Sequence, residues 1–186
     1  MTDVMPASFD ILFVEGYLWD APHGAAVIET AAQAAKTAGA KVAMTPSDAG
    51  CVERNRDVML NFIAQHADIL IGNHVEIGAL AGQEDAGAAM DWALCHVGIA
   101  AVTEHDKGAL VADGTGRYRA EAVKVPRVLD TTGAGDAFAS GFLGGLALGR
   151  PVDEAGRMGA DCAARVLGHY GARDGAAARA ISIPAA

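Results

Sequence analysis

Cysteine is scarce in this sequence. Cys51, Cys95 and Cys162 are odd in number, far apart, and form no Cys-x-x-Cys pair. That pattern argues against a disulfide framework and predicts reduced thiols in the core or in pocket walls. No His-Glu-x-x-His spacing occurs among the six histidines, which removes a common zinc signature. No segment approaches the roughly 18 apolar residues of a membrane helix. Met1 to Asp10 lacks a basic stretch followed by a long apolar run. The expectation is a soluble, cytoplasmic protein. Basic residues are outnumbered, 14 against 23, for a net charge of −9. A general nucleic-acid or anionic-membrane surface is thereby disfavoured. Aromatic residues make up only 5% of the chain.

What is present is a 52% apolar composition rich in Ala, with 23 Gly. Such a mix suits helices packed closely on a sheet. At 186 residues the chain can bury a sizeable core. Asp10–Glu15, Lys41–Thr45 and Asp68–Asn73 are short apolar runs with strand character. Ile99–Thr103, Gly108–Ala112 and Tyr118–Val123 extend the series, with Gly114-Thr115-Gly116 as a turn. Helical spacing occupies Pro22–Ala38, Asn55–His66, Val75–Leu80, Asp85–Cys95, Ala134–Leu148 and Val152–His169. In the Asn55–His66 stretch Val58, Met59, Phe62 and Ile63 share one side. Trp19 and Trp92 read as packing residues. Residues 1–174 form one domain and 175–186 an Ala-rich, loosely held tail. Alternating strands and helices predict an α/β fold: an open, mostly parallel sheet covered by helices on both faces. Ligands of such sheets sit beyond the carboxyl ends of the strands. Here that means the loops at Asn73, Thr103 and Asp130.

The chemistry concentrates in Asp130-Thr131-Thr132-Gly133-Ala134-Gly135-Asp136, directly before a helix. Gly133, Ala134 and Gly135 let backbone N–H groups approach an anion, and the helix N-terminus adds unpaired donors. Asp136, in the first turn, can accept a proton from a hydroxyl attacking phosphorus. No Gly-Lys-Ser/Thr sequence exists for a Walker loop, and Phe138 stands where a dinucleotide fingerprint needs its third Gly. A plain tight turn with a first-turn acid is the alternative. Asn73 is equally suited to cap a helix starting near His74. Glu76 can be a solvated first-turn acid, and Thr103 a simple strand end. Lys107 fits a solvated turn and His105 an exposed loop.

Asp-Thr-Thr-Gly-Ala-Gly-Asp-Ala-Phe, continuing into Ser140-Gly141-Phe142-Leu143, closely resembles the C-terminal signature of the ribokinase-like (PfkB) carbohydrate and nucleoside kinases. Glu15-Gly16-Tyr17-Leu18, Cys51-Val52-Glu53-Arg54 and His169-Tyr170-Gly171-Ala172 resemble the bacterial adenosine-kinase-like branch. The resemblance implies ATP-dependent phosphoryl transfer to a primary alcohol of a nucleoside or sugar. It implies Asp136 as catalytic base and Gly133, Ala134 and Gly135 as anion hole. For ATP and Mg²⁺ it points to the Asn73-x-x-Glu76 element, largely through water, and to Thr103, Gly108, Thr131 and Thr132. Ala160, Tyr170 and Gly171 would border the adenine, and Asp130 would shape a monovalent-cation loop. Family members carry a long N-terminal portion and lid before the strand at Asp10, so the chain reads as a C-terminal portion. Its partner would be a second copy or a separate N-terminal half. Where the family has Gly two residues after the threonine, this chain has His105, flanked by Glu104 and Asp106, which predicts weak ATP binding. A sugar kinase such as a ribokinase or ketodeoxygluconate kinase is the enzymatic alternative. A silent nucleotide-binding or interaction module is the other.

Overall fold

A computed structural model describes residues 8–172. These residues fall into two compact units, one of 8–104 with 110–118 and one of 105–109 with 119–172. In the first unit the chain runs through β1 (Ile11–Glu15), a 3-10 turn (Gly16–Asp20), α1 (Gly24–Thr37), β2 (Lys41–Thr45) and α2 (Ala49–His66). It continues with β3 (Ile69–Asn73), α3 (His74–Ala81), α4 (Ala86–Leu94) and β4 (Ile99–Thr103). β5 (Ala109–Asp113) and β6 (Gly116–Ala120) follow. The mixed six-stranded sheet has the order β1-β2-β3-β4-β5-β6. β1 to β4 pair in parallel, with Glu15 opposite Thr45 and Asn73 opposite Thr103.

Sequential order with right-handed crossovers carries every connecting helix to the same face. The core agrees: Val42, Met44, Leu70, Ala100 and Val102 cluster with Ile28 and Ala32 of α1, Val52 and Met59 of α2, Ile77 of α3 and Met90 of α4. The alternate strand residues Ala43, Ile69, Ile71 and Ala101 are buried too. Burial on both faces explains why these strands are continuous apolar runs rather than alternating ones.

The second unit is built on α5 (Ala134–Ala147) and α6 (Val152–Leu167). A Cβ added at Gly141 would lie 2.5 Å from the Met158 carbonyl oxygen, and one at Gly145 2.8 Å from Ala155 Cα. The two helix backbones therefore touch, which only glycine allows. Phe138 and Phe142, stacked at 5.9 Å between ring centres, supply the unit's large buried side chains.

Several expectations shift by a turn. α2 begins at Ala49, not near Asn55, because Asp48 caps it by accepting from Cys51 N–H at 2.7 Å. Val58 lies off the buried face of α2, 45% exposed, whereas Met59, Phe62 and Ile63 are buried. β6 starts at Gly116 rather than Tyr118 because the reversal needs only two residues. Asp113 Oδ1 accepts from Thr115 N–H at 2.8 Å and from its hydroxyl at 2.6 Å, which closes that turn. α6 ends at Leu167, so His169 falls outside it. Cys95 is exposed at the end of α4, contrary to a core or pocket-wall reading, while Cys51 is buried. The tail at 175–186 lies outside the described residues.

Candidate functional site

The carboxyl ends of the parallel strands form one cluster in the first unit. Asn73 ends β3 and caps α3: its side-chain oxygen accepts from Glu76 N–H at 2.9 Å. Glu76 answers with both oxygens, Oε2 accepting from Asn73 N–H at 2.9 Å and Oε1 from Asn73 Nδ2 at 2.6 Å. This reciprocal capping box fixes the carboxylate at the strand end. No group of three or more metal-ligating side chains exists among the described residues. The arrangement fits a water-mediated Mg²⁺ contact, a mode natural to that ion. Thr103 ends β4 beside Asn73 in register.

Sequence reasoning missed a polar network next to this cluster. Gly16 must be glycine, since a Cβ there would lie 2.2 Å from the Pro46 carbonyl oxygen. Tyr17 N–H then donates to Ser47 Oγ at 3.3 Å. Its phenol is pushed up to about 12, first by its hydrogen bond to the Asp48 carboxylate and then by burial. Asp20 accepts from Arg54 Nη2 at 2.5 Å and Asn55 Nδ2 at 2.8 Å, and Arg54 chiefly holds its carboxyl down at about 2. The Glu15–Leu18 and Cys51–Arg54 segments stood out in the sequence, but the pairings of Tyr17 with Asp48 and of Asp20 with Arg54 cross some thirty residues and carried no local signal.

The second unit holds the glycine-rich turn. Asp130 Oδ1 accepts from Thr132 N–H at 2.9 Å and from its hydroxyl at 2.7 Å, and Oδ2 accepts from Gly171 N–H at 2.9 Å. Leu129 N–H donates to Leu167 C=O at 2.9 Å alongside. Asp130 and Gly171, 41 residues apart in sequence, are thus brought together. Gly133 has φ +80°, and a Cβ there would lie 2.6 Å from Ala172 Cβ, so this position requires glycine twice over. The first regular bond of α5 runs from Ala137 N–H to Gly133 C=O at 2.9 Å. The amides of Gly135 and Asp136 precede it and belong to the first turn, where donors lack intrahelical partners. Asp136 is exposed there, as are Thr131 and Thr132. On α6, Ala160 is buried, whereas Tyr170 is 75% exposed.

His105 adopts φ +52°, a left-handed backbone, within a short 3-10 turn. Glycine is the favoured residue for that conformation. The substitution noted in the sequence therefore falls on a backbone geometry that still suits glycine. Gly108, at φ +85°, sits against the backbone of Ala120 and Ala122.

The three bonds to its carboxylate, that from Gly171 first, hold Asp130 at about 2, against an ordinary 3.8. A depressed carboxyl adds stability that is present above its unfolded value and is lost as pH falls through its folded value. The stability gap between the protein and Asp130→Asn is expected to narrow between about pH 4 and pH 2. Parallel melts across that window check this; a constant gap would contradict it.

The model of the pfkB family carbohydrate kinases matches residues 5–179. The chain belongs to this family. A cytidine kinase from Thermococcus kodakarensis is 36% identical over 123 residues, 63% of this chain and 43% of that protein. The crystal structure of an adenosine kinase from Sinorhizobium meliloti is 37% identical, with a TM-score of 0.86 over 93% of this chain and 54% of that one. An aminoimidazole riboside kinase from Salmonella enterica, solved with aminoimidazole riboside and an ATP analogue, shares the fold at 21% identity, 92% and 61% coverage and a TM-score of 0.80. The chain spans about half the length of the relatives it matches.

Proposed function

We propose that this chain supplies the ATP-binding and catalytic portion of a PfkB kinase acting on a primary alcohol of a nucleoside, with adenosine or a related ribose compound leading. The observation that carries the reading is Asp136, exposed in the first turn of α5 directly after Gly133-Ala134-Gly135. Mg-ATP, when bound, supplies the γ-phosphoryl group and the cation that balances its charge. The amides of Gly135 and Asp136 offer donors to developing negative charge on phosphoryl oxygens. Asp136 takes the hydroxyl proton at a carboxylate oxygen as the acceptor attacks. Asn73 and Glu76 would hold the hydrated Mg²⁺, and Thr103, Gly108, Thr131 and Thr132 would border the phosphates. Ala160, which is buried, and Tyr170 and Gly171, of which Tyr170 is exposed, would border the adenine. Asp130 would shape a monovalent-cation loop through its bonds to Thr132 and Gly171. The names of the cytidine kinase and adenosine kinase relatives fit a nucleoside, and those of equally similar sugar kinases fit the sugar alternative. The protein would act in the cytoplasm.

Mg-ATP is expected to bind weakly, because His105, Glu104 and Asp106 crowd the stretch after Thr103. A thermal-shift series should show a melting temperature that rises at millimolar Mg-ATP. An unchanged temperature would count heavily against the nucleotide site.

β1 ends the sheet among the described residues, with its outer edge unpaired by any of them. Exposed strand edges tend to pair with another chain. We expect the chain to form a homo-oligomer or to bind a separate N-terminal half. Light scattering behind a sizing column tests this, and a monomer at micromolar concentration with cooperative melting would refute it.

A further inference from the structure

On the outer side of α1 and α2 lies a cleft that nothing in the phosphoryl-transfer reading uses. Two of its lining rings, Trp19 and Phe62, continue into a third, His66. Trp19 meets Phe62 edge-on at 5.3 Å between ring centres, and Phe62 meets His66 at 5.2 Å. His66, 8% exposed, bonds through Nε2 to Glu29 Oε1 at 2.8 Å. Glu29 itself is 58% exposed, and its second oxygen makes no hydrogen bond to a described residue. Trp19, Phe62 and Val58 form an apolar wall, and Glu29, Asn61 and Gln65 form a polar rim. Asn61 and Gln65 stand one turn apart on α2, so their amides sit side by side. No Lys or Arg lines the cleft. The nearest basic group in sequence, Arg56, already donates to the carbonyl oxygens of Ala79 and Leu80.

We propose that this cleft receives the guanidinium head of an arginine side chain presented by a partner polypeptide. The volume is about 150 Å³. That is below the ~300 Å³ at which pockets for whole small molecules begin, so only the head of a side chain fits. A planar cation stacks on an indole face, and its forked donors match a carboxylate and neighbouring amide oxygens. A neutral side chain would leave the Glu29 carboxylate without a counter-charge. An ammonium would use the carboxylate but not the flat aromatic wall. The chain's net charge of −9 favours approach of a basic partner.

The test follows the indole N–H resonances of Trp19 and Trp92 in the full chain at pH 8, with Trp92 as internal reference. N-acetylarginine amide is expected to move the Trp19 resonance saturably in the millimolar range and to leave Trp92 in place. N-acetylcitrulline amide, the same shape without charge, should move neither. Glu29→Gln keeps an oxygen for His66 and should weaken the arginine effect about tenfold or more, the size of one hydrogen bond to a charged group. Three outcomes overturn the proposal: no saturable shift by tens of millimolar, equal shifts from arginine and citrulline, or equal shifts of both tryptophans. The citrulline arm uses the unaltered protein and decides the matter even where Glu29→Gln fails to fold.

Discussion

Asp136→Asn is expected to lower kcat by about 10²-fold or more, the usual consequence of losing a positioned acid–base group. The substitution keeps the size and the hydrogen-bonding oxygen of the side chain, so the first turn of α5 should stay intact. What it removes is the negative charge that accepts the hydroxyl proton. Because the phosphates would rest on backbone amides, Mg-ATP affinity should change little. The comparison requires an active preparation, either the chain alone or the chain combined with a separate N-terminal half. Steady-state rates alongside nucleotide titration separate the two effects. Full turnover by the variant would remove Asp136 from the mechanism. A parallel loss of turnover and nucleotide affinity would instead assign it to binding.

Gly108→Ala should cost the fold about 3 kcal/mol, from a left-handed backbone penalty of about 1–2 kcal/mol and overpacking of about 1–3 kcal/mol. Its φ is +85°, and a Cβ there would lie 2.1 Å from the Ala120 carbonyl oxygen and 2.7 Å from Ala122 N. Both neighbours are backbone and cannot swing aside. For a domain of this size the melting temperature should fall by roughly 10 °C. Gly135→Ala serves as control: a Cβ at Gly135 would meet nothing within 4 Å. Its melting temperature should hold nearly constant. Equal melting of Gly108→Ala and the parent would show that the chain around residues 108 and 120 relaxes freely.

The sequence by itself determined the fold class, the glycine-rich turn that opens α5 and nearly every element. Buried parallel strands need unbroken apolar runs, and Ile69–Asn73 and Ile99–Thr103 show them without any structure. A glycine-rich turn opening a helix is equally local, so Gly133 to Asp136 could be read directly. The capping role of Asn73 was legible for the same reason, since donor and acceptor stand three residues apart. Only the tertiary structure decided the contacts that cross long stretches of chain. Asp130 with Gly171, Tyr17 with Asp48 and Asp20 with Arg54 leave no periodic trace, because their spacing follows from how the loops pack. The start of α2 also escaped, as Asp48 sits in Pro46-Ser47-Asp48, a turn-like tripeptide whose last residue serves as a cap. Val58 and Cys95 were misplaced because hydrophobicity predicts burial only when a neighbour arrives to cover it. Position 105 shows the same division. The sequence revealed His in place of Gly, but only the backbone angle of +52° showed that the position still has glycine geometry.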